Sequence, residues 1–223
     1  YILYSISMIK NISLRFIFTF VILIGIILVS ESFINKYVYK RGKPINKVVI
    51  PDIIQENIPK IRYLDVISDI FISFSSFIFI VIFLFNGQYK YIILYFVIFL
   101  LMRIVTYIYF ISTTLPDSSK SCLYSSNFLI ASMNMGSCNN LGISGHFLNT
   151  VFQLGLLNRY YGSSYWLLYI IIYVLGFILI CASRNHYTID CLTSSFVALF
   201  FIYEINNIQK GLNYIIGKKY FNL

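Results

Sequence analysis

Only two histidines occur in the chain, and each stands in a setting suited to phosphoryl chemistry. His186 precedes Asp190 in the run His186-Tyr187-Thr188-Ile189-Asp190. On a helix the i, i+4 relation sets both side chains on one face a turn apart, where a carboxylate holds one imidazole N–H and leaves the other nitrogen free to attack. His146 follows Ser144-Gly145, a turn expected to open a second helix. The unpaired N–H groups and positive dipole end of such a helix suit a phosphate. A second imidazole beside a bound phosphate is a natural general acid for the leaving oxygen. A lone buried histidine is ordinarily a structural residue, but an Asp-His pair in membrane sequence more often marks function, because ionisable groups there are costly.

These residues must be positioned by membrane helices. Hydrophobic residues make up 59% of the 223 and charged ones 11%, with mean hydropathy +0.79. Such a balance excludes an ordinary soluble domain and reads as an all-α, polytopic membrane protein. The net charge of +9 is carried by Lys and Arg in loops between apolar spans, which fits phospholipid head groups better than nucleic acid.

Apolar runs of roughly 17 to 25 residues cross a bilayer. Six are expected, at about 14–30, 68–86, 89–112, 144–159, 163–182 and 186–205, forming a six-transmembrane-helix bundle over a single domain, 1–223. The first could pass for a signal sequence, but it lacks a small-residue cleavage site and reads as a retained anchor. The chain begins at Tyr1, so the true start is expected to lie elsewhere, with Met8 a candidate. The fourth run is the least apolar, yet His146, Thr150 and Gln153 fall on one stripe, expected to face the bundle interior or a wet pocket. Six spans put both termini on one side and both histidine motifs on the other.

Several further residues carry expectations. Arg103 lies deep in the third run and is expected to pair with Asp69 or Glu204, or to reach a phosphate along a wet cleft. Arg184 stands beside the expected nucleophile, where its planar fork suits phosphate oxygens. Tyr187 is expected to pack at the membrane interface. Cys181 and Cys191 read as small apolar fillers, and Cys122 and Cys138 share a loop in which oxidation would allow a disulfide, a pairing the sequence leaves open. No cysteine-histidine cluster has zinc-site spacing, so neither a metal nor a cofactor is expected.

Four motifs in order, over about 50–192, resemble those of the sphingomyelin synthase and ceramide phosphoethanolamine synthase family, which belongs with the lipid phosphate phosphatases. They are Pro51-Asp52-Ile53-Ile54; Arg103 followed by Thr113-Thr114-Leu115-Pro116; Cys138 through His146; and His186 through Asp190. The resemblance implies a catalytic triad of His146, His186 and Asp190, with Ser144, Gly145, Arg184, Asp52 and Asn140 around the substrate phosphate. It implies transfer of a phosphorylated head group from phosphatidylcholine or phosphatidylethanolamine to ceramide, releasing diacylglycerol. It also implies cytosolic termini and an active site on the lumenal or exoplasmic side of the endoplasmic reticulum, Golgi or plasma membrane. The basic 31–67 segment then lies outside, against the positive-inside rule. Cys138-Asn139-Asn140 stands where the family has Cys-Gly-Asp, and Phe147 where it has a small hydroxylic residue, which leaves the head group open among choline, ethanolamine and inositol. Two rivals use the same fold: a lipid phosphate phosphatase with water as acceptor, and a non-catalytic lipid-binding protein.

Overall fold

An apolar run inside a bilayer must satisfy its own backbone groups, and each such run here is an α-helix. The computed structural model describes residues 14–42, 50–59, 61, 63–116, 125, 127 and 141–216. Its helices are α1 (Leu14–Gly42), α2 (Ile53–Asn57), α3 (Leu64–Phe85), α4 (Tyr89–Ser112), α5 (Gly145–Tyr161), α6 (Trp166–Ala182) and α7 (Thr188–Ile216), with no strand among the described residues.

Five stretches are long and apolar enough to cross a membrane. The fourth, Gly145–Ala182, is two helices: a 3-10 turn at Gly162–Tyr165 folds it, and α5 and α6 pack on one another. Six long rods therefore form the bundle, close to the expected count. The bounds differ most at α1 and α7, which run on to Gly42 and Ile216. In α1 the polar residues Glu31 and Asn35 are buried beside Val38, so the helix continues past the apolar run.

The ends of the rods are set by local chemistry. Asn86-Gly87-Gln88 returns its three N–H groups to Ile82, Leu84 and Phe83 and turns α3 into α4. Ser144 caps α5, its hydroxyl accepting from Phe147 N–H at 3.3 Å. The first N–H of α7, on Thr188, is capped from a distance by Asp52 at 2.6 Å.

The central pair is α5 and α7, which lie parallel along their length. Ser194 Oγ donates to the Ser144 carbonyl at one end, Ile202 lies against Gly155 further on, and Arg159 donates to Asn206 beyond it. Around them, α1 packs on α4, and α3 packs on α5 and α6. Tracing the rods puts the starts of α3, α5 and α7 and the ends of α1, α4 and α6 on one face. Arg41 donates to the Ile111 carbonyl there, while Asn86 donates to Tyr161 on the opposite face. Leu14 and Ile216 both lie on that opposite face, as six spans require.

A buried polar knot joins three rods midway. Tyr95 donates to Asn149, Asn149 donates to Ser76 at 2.9 Å, and Gln153 donates to Ser76 at 3.0 Å and to Tyr95 at 3.2 Å. Closing these groups on one another avoids the cost of leaving any of them bare in hydrocarbon. Thr150 and Gln153 are accordingly buried, on the expected inward stripe.

Candidate active site

Asp190 is fully buried one turn into α7 and accepts from three directions. One oxygen takes the Gly142 N–H at 2.9 Å; the other takes the Tyr187 N–H at 3.1 Å and lies 3.1 Å from His186 Nδ1. A carboxylate held this way keeps the proton on Nδ1 and leaves Nε2 as the basic, nucleophilic nitrogen. The same carboxylate ties the segment leading into α5 to the start of α7. Ser144 N–H also reaches the Asp190 carbonyl at 3.4 Å. Gly142 adopts φ +103°, a conformation a side chain opposes, and the Tyr109 ring fills the place its Cβ would take.

His146 opens α5 beside this junction, partly buried and within electrostatic range of both His186 and Arg103. Its imidazole has no hydrogen-bond partner among the described residues. The two histidines and Asp190 thus meet at one face of the bundle, at the starts of two parallel helices.

Arg103 is buried and ion-paired to Glu31 of α1, with its guanidinium carbon 5.1 Å from the Tyr107 ring centre. The expected partners Asp69 and Glu204 are not used: Asp69 lies on α3 within electrostatic range of His186, and Glu204 accepts from Asn207 at 2.7 Å. α1 packs directly on α4, and a buried acid on it is the nearest counter-charge. The guanidinium also occupies the space a Cβ on Gly145 would fill, so a side chain there would have to displace it. This contact sets a depth. Arg103 is nine residues short of Ser112, so the start of α5 is sunk about 13 Å below the end of α4.

Of the other expected phosphate ligands, Asp52, Arg184 and Ser144 make hydrogen bonds within the protein around the starts of α7 and α5. Asp52 is buried and accepts from Ile54 and Gln55 N–H, both at 3.1 Å, and from the Thr188 N–H and hydroxyl at 2.6 and 2.8 Å. It is the N-cap of two helices at once. Arg184, at φ +62°, donates to the Gln55 carbonyl at 2.7 Å and to its side chain at 3.4 Å. Gln55 in turn donates to the His186 carbonyl at 3.0 Å. The Ser144 hydroxyl is engaged as the α5 cap. Asn140, Cys122 and Cys138 lie outside the described residues. Tyr187 is buried and donates to the Pro116 carbonyl at 3.2 Å, and Phe147 packs against Tyr173 and Phe177 of α6, at 5.2 and 5.6 Å between ring centres. Cys181 and Cys191 are buried free thiols, 3.6 Å apart.

Gln55, Gly142, Ser194 and Glu31 complete the arrangement and were not anticipated. Of these, only the glycine left a trace in sequence, as part of the run leading into Ser144.

Asp52→Ala is expected to lower stability by about 1–2 kcal/mol, because two helix starts lose their acceptor at once. Thermal unfolding in detergent micelles measures this. An unchanged midpoint with a raised KM would assign Asp52 to substrate contact instead.

Residues 137–207 match the family described as PAP2 superfamily C-terminal, a segment that holds both histidines and Asp190. The match, which covers less than half of the chain, supports a relationship to the lipid phosphate phosphatase superfamily, whose members are phosphatases and phosphotransferases. No curated protein matches the chain, and no solved structure does.

Proposed function

We propose that this chain is a membrane phosphotransferase that moves a phosphorylated head group from a glycerophospholipid to ceramide through a phosphohistidine. The observation that carries the reading is the double use of Asp190, which orients His186 while fastening the segment that bears His146.

In the first half-reaction His186 Nε2 attacks phosphorus, the bond to the diacylglycerol oxygen breaks, and His146 gives that oxygen its proton. In the second, the ceramide primary hydroxyl gives its proton to His146 and its oxygen attacks phosphorus. The N–P bond then breaks and its electron pair returns to His186. The positive charge of Arg103, at the start of α5, favours the anionic phosphate near His146. Asp52, Gln55 and Arg184 are positioning residues, bracing the backbone on either side of His186. The two reacting lipids are the partners, with no added cofactor or metal in the cycle, and the reading places the site on the lumenal or exoplasmic side.

The test is an in-membrane assay with labelled short-chain ceramide and choline, ethanolamine or inositol phospholipids as donors. A new sphingophospholipid appearing with stoichiometric diacylglycerol is the expected result. The family match equally fits the same triad using water as acceptor. Diacylglycerol with a free phosphorylated product and no labelled sphingophospholipid would establish that reading and end this one.

A further inference from the structure

The stripe that descends from His146 along α5 borders a groove the catalytic steps do not use. Phe71, Phe74 and Ile78 of α3 form one wall, Thr150 and Leu157 of α5 the other, and Ile172 of α6 closes one side, around a cavity of about 230 Å³. A methylene takes roughly the volume of a liquid water, ~30 Å³, so the groove holds on the order of eight carbons of one chain. Its length from Thr150 to Leu157 is about 10 Å of helix.

The polar residues along it have committed their donors to the protein. Ser75 donates to the Ile72 carbonyl at 2.8 Å, Thr150 to the His146 carbonyl at 3.1 Å, and Gln153 is held in the polar knot. The surface left to an occupant is hydrocarbon. Phe74 is 60% exposed and Ile78 39%, so the groove borders the lipid-facing side of the bundle. Its upper end is one helical turn from the histidine that, on the reading above, protonates the leaving alcohol.

We infer that this groove seats one hydrocarbon chain of the lipid alcohol served by His146: an acyl chain of the departing diacylglycerol in the first half-reaction, and a chain of the acceptor in the second. This rests on the proposed function, because His146 handles both alcohol oxygens and each alcohol must therefore lie on its side of the phosphorus. A single groove used in turn makes diacylglycerol compete with the acceptor, and it fixes which chain length the site can grip.

Two measurements test it. Membranes containing the wild-type chain are irradiated with a diacylglycerol bearing a diazirine midway along one chain. Saturable labelling of the Phe71–Ile78 and Thr150–Leu157 peptides, suppressed by excess unlabelled diacylglycerol, is expected. Labelling spread over all lipid-facing helices and insensitive to competitor would overturn the inference. In turnover, Ser75→Phe and Leu157→Phe, which fill the groove, are expected to lower kcat/KM about tenfold for donors with sixteen-carbon chains and less than twofold for dihexanoyl donors. Equal losses for both, or none, would overturn it. Specific labelling without any transfer by the wild type would leave the groove and remove the transferase. Transfer without specific labelling would do the reverse.

Discussion

His186→Ala is expected to reduce head-group transfer by at least ~10⁴-fold while leaving membrane insertion and expression unchanged. On the proposed mechanism, the substitution removes the atom that would carry the transferred group. Removing the ring deletes one contact of a carboxylate that keeps two backbone N–H donors, so the fold should tolerate it. With a donor labelled in its head group, quenched wild-type protein should carry acid-labile, base-stable label, and the variant none. Activity within tenfold of wild type would end the mechanism. Asp190→Asn should cost less, about 10²- to 10⁴-fold, because Nε2 survives while tautomer and orientation are disturbed. Some of that loss is structural, since an amide offers one oxygen where Gly142, Tyr187 and His186 share two.

Glu31→Ala is expected to destabilise the bundle by about 3–5 kcal/mol, the cost of leaving a buried guanidinium without its counter-charge. Arg103→Ala should do the same from the other side. The double variant Glu31→Leu with Arg103→Met should recover most of the stability, since well-packed apolar residues replace a buried pair at little net cost. It should not recover activity, because the charge at the start of α5 is gone and the packing over Gly145 with it. A double-mutant cycle by thermal unfolding in micelles measures the coupling. Additive losses would show that the two charges act independently, and an intact rate in the double variant would remove Arg103 from the site.

Much of the membrane architecture could be read from hydropathy because a bilayer asks one simple thing of a chain, a long apolar run. α4 coincides with the expected third span, and the breaks at Asn86-Gly87 and Gly162 fall where small or turn-forming residues allow them. The ends of α1 and α7 were not legible. Glu31 looks like the end of a span until a cation on another helix is known to meet it. Within the site, the His186–Asp190 relation was readable because it lies within one turn. The remaining contacts were not: Gln55 to His186, Asp52 to Thr188 and Gly142 to Asp190 join residues 131, 136 and 48 apart, and such distances leave no periodic signal. Residue type alone does not separate a phosphate ligand from a backbone brace: Asp52 and Arg184 have the chemistry of the first, and their contacts to Thr188 and Gln55 are of the second kind.

The recess below the end of α4 bears on the surrounding leaflet. A phosphate meeting imidazoles some 13 Å beneath the tip of a neighbouring rod cannot stay level with the head groups around it. Either the lipid is drawn down out of its row, or the annulus thins locally to bring the row to the protein, and each carries a mismatch cost of fractions of a kcal/mol per Å. On the proposed function, the rate is then coupled to membrane thickness: shorter-chained bilayers should speed turnover and thicker, sterol-rich ones should slow it, with no change in any side chain.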